Sequence, residues 1–256
     1  MNSYHHLNAT MIAKLADQLE TEYGVKVLFS RIVGSHMWGY ADDVSDYDVQ
    51  FVYVRPLNDY LSFLPRKQIR YETAFVTPGL AGHADVFAYD LQDFVRLMSK
   101  SDMNVSQFMF AQRIGEEALC WHGLNELFGR HFQPNLLTRK YLGHSRSSLA
   151  ALNIKPDDRS NQWNVVRAMV CAHQLHATGK LAIPDILQAS HKFTPDLKLT
   201  IDPERRPGFD KAAFRELMRT SDTWDLSYPE RTDEEVEEFN TMAKAIIRRF
   251  ANPDWS

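Results

Sequence analysis

Apolar residues recur at spacings of three and four between residues 9 and 23, with Ile12, Leu15 and Leu19 on one stripe, and the run stops at Gly24. That spacing predicts an amphipathic helix closed by a glycine. The pattern then turns β-branched and aromatic: residues 25–33, VKVLFSRIV, predict a strand that delivers Gly34 and Ser35 at its end. A short helical turn is expected from Ser35 to Gly39. Residues 48–54 predict a second strand, apolar enough to be central and ended by Pro56. Residues 67–76, a Pro/Gly-rich turn over 77–82 and residues 84–89 predict a hairpin, followed by helices over 91–100 and 105–112. Asp90 is placed to cap the first of these, with Asp93 in its first turn.

After Phe132 the pattern changes. Helices are expected over 136–152, over 163–178 with Gly179 as the stop, over 210–220 and over 234–250, and residues 154–160, IKPDDRS, form a loop. The last helix opens on a capping box at Thr232 to Glu235 and carries Lys244, Arg248 and Arg249 towards its end, matching the helix dipole. No strand is expected past about Cys120. The reading is an α+β chain: an N-terminal mixed β-sheet with flanking helices over residues 1–120, then an all-helical domain over 121–256 facing a cleft, with the boundary between 116 and 134.

Composition narrows the class. A chain of 256 residues with formal net charge −4 lacks the basic surplus of a protein that grips long duplexes, though a local patch or a small acceptor is compatible with it. Cys120 and Cys171 are the only cysteines and lack metal spacing, so neither a disulfide scaffold nor a thiolate zinc site is expected. The first residues lack the apolar core of a secretory signal, and no apolar run is long enough to span a bilayer; the cytoplasm is the expected compartment.

The chemistry concentrates in residues 34–54, GSHMWGYADDVSDYDVQFVYV. Asp46 and Asp48 are one residue apart, so in a strand both carboxylates project to one face. Two ionised carboxylates held together call for a cation, and oxygen-only ligands favour Mg²⁺ or Mn²⁺, which usually bridge carboxylates to substrate phosphates. Gly34, lacking a Cβ, and Ser35, with its hydroxyl, suit the phosphates. Asp85, inside an apolar strand, is a third candidate carboxylate. Each piece alone is common, and their combination points to phosphoryl or nucleotidyl transfer.

Gly34-Ser35-x-x-Trp38-Gly39, Ser45-Asp46-Tyr47-Asp48-Val49, Val52-Tyr53-Val54, Tyr60-Leu61-Ser62 and Ala84-Asp85-Val86 together resemble the polymerase-β-type nucleotidyltransferase superfamily. Within it the chain is most similar to the predicted nucleotidyltransferases associated with RNA ligases in bacteria and phages. A weaker echo lies at Tyr141-Leu142-Gly143 and from Val165-Val166-Arg167-Ala168 to Gly179. His36 and Gln50 stand where that family tends to carry basic residues, and residues 160–164 lack its lysines. The resemblance implies a nucleotidyltransferase fold and two Mg²⁺ or Mn²⁺ ions held by Asp46, Asp48 and Asp85. It also implies transfer of a nucleoside monophosphate from an NTP such as ATP to an acceptor hydroxyl, with release of pyrophosphate. Its association with RNA ligases favours an RNA end as acceptor over a protein hydroxyl or a small molecule.

Lys140, Arg146 and Arg167 are candidate phosphate contacts in the helical half, with Lys140 and Arg167 taken as nucleotide-binding. Trp38 and Tyr40 offer a base-stacking surface or core packing, and His173 with His176 reads as packing or surface. A kinase-type site is excluded by the lack of a Walker lysine. The rival reading is a catalytically silent nucleotidyltransferase fold that senses nucleotides or binds a protein, against which the intact carboxylate triad argues.

Overall fold

The computed structural model describes residues 2–42, 45–62, 68–77, 80–111, 118, 120–182, 185–202 and 206–251. Four expected features, the strand start at Lys67, the turn residues Pro78 and Gly79, the helix end at Gln112 and the boundary start at Glu116, lie outside the described residues.

The chain forms two compact units, one of residues 1–36, 44–132 and 231–256, the other of residues 37–43 and 133–230. The first is built on a mixed four-stranded sheet. Helix α1 (Asn2–Tyr23) leads into β1 (Lys26–Val33), the short α2 (Gly34–Trp38) and β2 (Tyr47–Val54). Next come a one-turn helix α3 (Leu57–Tyr60), the hairpin β3 (Ile69–Thr77) and β4 (Leu80–Asp90), and helices α4 (Leu91–Ser99), α5 (Met103–Phe110) and α6 (Trp121–His131). Strand order is β1-β2-β4-β3, with β1 and β3 antiparallel to their neighbours and β2 parallel to β4.

Side chains alternate between the two faces of this sheet. Val49, Phe51, Ala84 and Val86 pack against Met11, Leu15 and Leu19 of α1, which explains the three-and-four spacing of that helix. Phe29, Val52, Val54 and Tyr89 project the other way, against Phe94, Phe108, Phe128 and the C-terminal helix. That last helix, α11 (Asp233–Phe250), carries the expected capping box, with Thr232 and Glu235 bonding each other's backbone N–H groups. Its buried Phe239, Ile246 and Ile247 join this core. Asp90 caps α4 as expected, its carboxylate accepting from the Gln92 N–H at 2.9 Å, and it also pairs with Arg55 at 3.4 Å.

In the second unit, α7 (Pro134–Ile154) and α8 (Arg159–Thr178) pack along one another, with the Ser145 hydroxyl donating to the Val165 carbonyl at 3.0 Å. Gly179 closes α8 in the left-handed conformation, φ 65°. Then follow α9 (Ile186–Phe193), a single 3₁₀ turn (Pro195–Leu197), a two-residue strand pair β5 (Thr200–Ile201) and β6 (Pro207–Gly208), and α10 (Lys211–Ser221). The strand pair corrects the expectation of no strand past Cys120; two residues are too few to show a period-two pattern. Helices α6, of 11 residues, and α9, of 8, were not read from sequence. Tyr40 stacks on Trp163 with ring centroids 3.7 Å apart, and Trp38 is 1% exposed, so both aromatics belong to the packing of this unit.

Candidate active site

β1 ends at Val33, and Gly34 turns the chain with φ 64°, a conformation costly for any residue with a Cβ. The turn brings the Gly34 backbone against Asp48, the registered partner of Val33 on β2. A Cβ on Gly34 would stand 2.6 Å from the Asp48 carboxyl carbon, well inside contact distance. Glycine therefore serves both the turn and the carboxylate.

On the other side of β2, parallel pairing sets Asp48 directly opposite Asp85 of β4. Registered partners on neighbouring strands share a face, about 4.8 Å apart along the hydrogen-bonding direction. Both residues are half-buried, and Asp85 has no hydrogen-bond or ion-pair partner among the described residues. They share the face of Val52 and Tyr89. A cleft of about 240 Å³ opens there, lined by Asp48, Gln50, Arg70, Asp85, Phe87 and Asn104 among others. Tyr89 also lines it, and burial raises its phenol above the usual range, so the hydroxyl stays protonated and neutral.

Asp46 lies one residue ahead of β2 and is exposed. Among the described residues, no three His, Cys, Asp or Glu side chains stand together as a metal-holding group. The element that orders this approach to β2 is His36. Its ring stacks on Tyr47 with centroids 3.9 Å apart, and its Nε2 lies 3.2 Å from the Ser45 carbonyl oxygen. Position 36 is thus spent on holding the turn to the strand start. Ser35 follows Gly34 in the first turn of α2 and is half-buried.

Of the helical candidates, Arg167 stands on α8 with its guanidinium 5.9 Å from the Trp38 ring and donating to Asn164 Oδ1 at 2.7 Å. Lys140 lies on α7. Arg146 pairs with Asp222. His173 and His176 embrace Trp224, His176 stacked at 3.8 Å and His173 edge-on at 4.7 Å, which makes them packing residues. Sequence reading passed over Arg70, Phe87 and Asn104. Arg70 and Phe87 sit at alternate positions with Glu72 and Asp85, a signal that becomes readable only once the register of β3 on β4 is known.

The profile of the RNA repair pathway DNA polymerase beta family, RlaP, matches residues 8–197. The chain is 26% identical over 133 residues to the uncharacterized protein YcgL of Bacillus subtilis (strain 168), an alignment spanning 52% of this chain and 49% of that protein. The crystal structure of a nucleotidyltransferase-like protein from Exiguobacterium sibiricum 255-15 aligns with 94% of this chain and 74% of its own at 8% identity and a TM-score of 0.31, too loose a superposition to bear on the site. Among the described residues, no helix is long and apolar enough to cross a membrane. With the family profile covering most of the chain and the mixed sheet carrying its strand aspartates, the protein belongs to the RNA repair pathway DNA polymerase beta family, within the polymerase-β-type nucleotidyltransferase superfamily.

Proposed function

We propose that the protein transfers a nucleoside monophosphate from an NTP to an acceptor hydroxyl. The observation that carries this reading is the registered pair Asp48 and Asp85, with the Gly34 backbone pressed against the first carboxylate. Two adjacent carboxylates beside an open cleft are an oxygen-only donor set, which fits Mg²⁺ or Mn²⁺ completed by substrate phosphate oxygens. Asp48 and Asp85 would hold the ions, with Asp46 joining them from the approach to β2. When bound, two such ions would neutralise phosphate charge and lower the pKa of the acceptor hydroxyl.

The residues of the chain supply the rest. Gly34 and Ser35 admit the β and γ phosphates close to the backbone, on the β1 side of Asp48. Asp85, one strand further on, faces the incoming hydroxyl. The acceptor oxygen bonds to the α-phosphorus while the α–β bridging bond breaks, pyrophosphate leaves with the electron pair, and the hydroxyl proton is released to solvent. Lys140 and Arg167 are the cations offered to the nucleotide from the helical half. The family's place in RNA repair makes an RNA end the favoured acceptor, ahead of a protein hydroxyl or a small molecule.

The test is incubation with each labelled NTP, Mg²⁺ or Mn²⁺, and cellular RNA or lysate, comparing wild type with the Asp46→Ala/Asp48→Ala double variant. Label in RNA from the wild type alone is the expected result. Equal labelling by the double variant would sink the mechanism, and nucleotide binding without transfer by either protein would leave a sensing module.

A further inference from the structure

The carboxylates form only one edge of the cleft. The row behind them runs across three strands: Gln50 on β2 is registered with Phe87 on β4, and Phe87 with Arg70 on β3. All three line the cleft. Two strand spacings separate the ends of this strip, a span of about 10 Å, the scale of one nucleotide.

Each member has an unused binding capacity. The Gln50 side-chain oxygen is buried without a hydrogen-bond partner among the described residues, a cost that a ligand donor would relieve. Phe87 is half-buried and presents an apolar ring beside it. Arg70 is exposed and makes neither ion pair nor hydrogen bond among the described residues, even with Glu72 two positions along the same strand. A guanidinium without an acidic partner among the described residues, at the edge of a cleft that holds two carboxylates, suits a phosphate.

Strand order sets which phosphate. From the Gly34 turn after β1, the sheet passes Asp48, then Asp85, then β3. In-line displacement puts the attacking group opposite the departing pyrophosphate. If the NTP phosphates lie at the β1 side, the acceptor enters from the β3 side, where Arg70 stands.

Resting on the nucleotidyltransferase reading above, we infer that the strip Gln50–Phe87–Arg70 is the acceptor subsite and that it takes the terminal nucleotide of a nucleic-acid strand. The base lies on Phe87 and donates to Gln50 Oε1, the backbone phosphate meets Arg70, and the terminal hydroxyl turns towards Asp85. A protein hydroxyl would leave both Arg70 and Gln50 unused.

The experiment measures binding of a short fluorescein-labelled oligoribonucleotide with a free terminal hydroxyl by anisotropy across a salt series. Binding of a fluorescent ATP analogue is measured in parallel. Arg70→Gln, at an exposed position, is expected to weaken oligonucleotide affinity by about tenfold and to reduce the salt slope by about 1, with analogue affinity and thermal midpoint unchanged. Arg70→Lys should keep the salt slope, and Phe87→Leu should weaken the oligonucleotide without altering it. Equal oligonucleotide affinity for wild type and Arg70→Gln, or parallel loss of the ATP analogue, overturns the inference, as does transfer by the wild type to protein but not to RNA. Transfer to RNA with Arg70-independent binding removes the strip and leaves the transferase. Arg70-dependent binding without any transfer removes the transferase and leaves the strip as a binding surface.

Discussion

The Asp48 carboxylate occupies the space that a side chain on Gly34 would need. This pairing of a left-handed glycine with a strand carboxylate couples two motifs 14 residues apart in sequence into one structural unit. Gly34→Ala should therefore do two kinds of damage. The positive φ costs about 1–2 kcal/mol of stability, read by urea unfolding, and displacement of Asp48 should lower nucleotidyl transfer by about 100-fold or more. Combining it with Asp48→Ala should cost less than the sum of the two single losses, because both act through one carboxylate. Strict additivity would show that the contact does not matter.

Neutralising either member of the Asp48–Asp85 pair separates function from stability. Without metal, Asp85→Asn removes the repulsion between two neighbouring carboxylates and should leave the protein as stable as wild type or more so, by up to about 1 kcal/mol. In excess Mn²⁺, wild type should gain thermal midpoint by mass action and the variant should gain little. Scanning calorimetry with and without Mn²⁺ checks both arms. A variant that still gains the full increment would move the metal site elsewhere.

Arg55 and Asp90 form a nearly dry ion pair, with side chains 14% and 5% exposed, and Asp90 also caps α4. Asp90→Ala removes the acidic partner of a guanidinium that keeps its hydrogen bond to the Tyr53 hydroxyl, and it removes the cap, so a loss of about 3 kcal/mol is expected in chemical denaturation. Asp90→Asn keeps the cap acceptor and should recover part of that loss.

Acid should weaken the helical unit through His173. Burial, and then the nearby His176, lowers its pKa from 6.5 to about 4, and its Nε2 is buried without a hydrogen-bond partner among the described residues. The unfolded chain takes up this proton first as pH falls. The contribution is therefore complete above pH 6.5, declines between 6.5 and about 4, and is flat below. Allowing for partial exposure, it is on the order of 2 kcal/mol. Stability measured against pH for wild type and His173→Gln should diverge in that window, and parallel curves would assign the acid sensitivity to other groups.

Much of the fold was legible because local chemistry dictates it. The stripe Ile12, Leu15 and Leu19, the cap at Asp90, the stop at Gly179 and the capping box at Thr232 each act within a few residues, and the structure places each in its expected role. Helices α6 and α9 escaped although α4, α5 and α10, of similar length, did not; α6 follows Cys120, which gives no side-chain cap to announce it. The position of α11 escaped for another reason. Its amphipathic pattern declares a buried face but not which core buries it, and Phe239 and Ile247 join the sheet's helical layer from the far end of the chain.

The site divides along the same line. Spacing by itself determined a glycine turn at the end of one strand and aspartates at 48 and 85 within two others, because alternation along a strand and the absence of a Cβ are properties of the chain alone. Only the tertiary structure decided that Asp48 faces Asp85 across a parallel pairing, that Asp46 stands outside the strand, that His36 is committed to Tyr47, and that Arg70 shares the cleft. Register is a relation between strands distant in sequence, fixed by burial of both faces of the sheet, and a one-residue slip would have turned the same side chains to the opposite face.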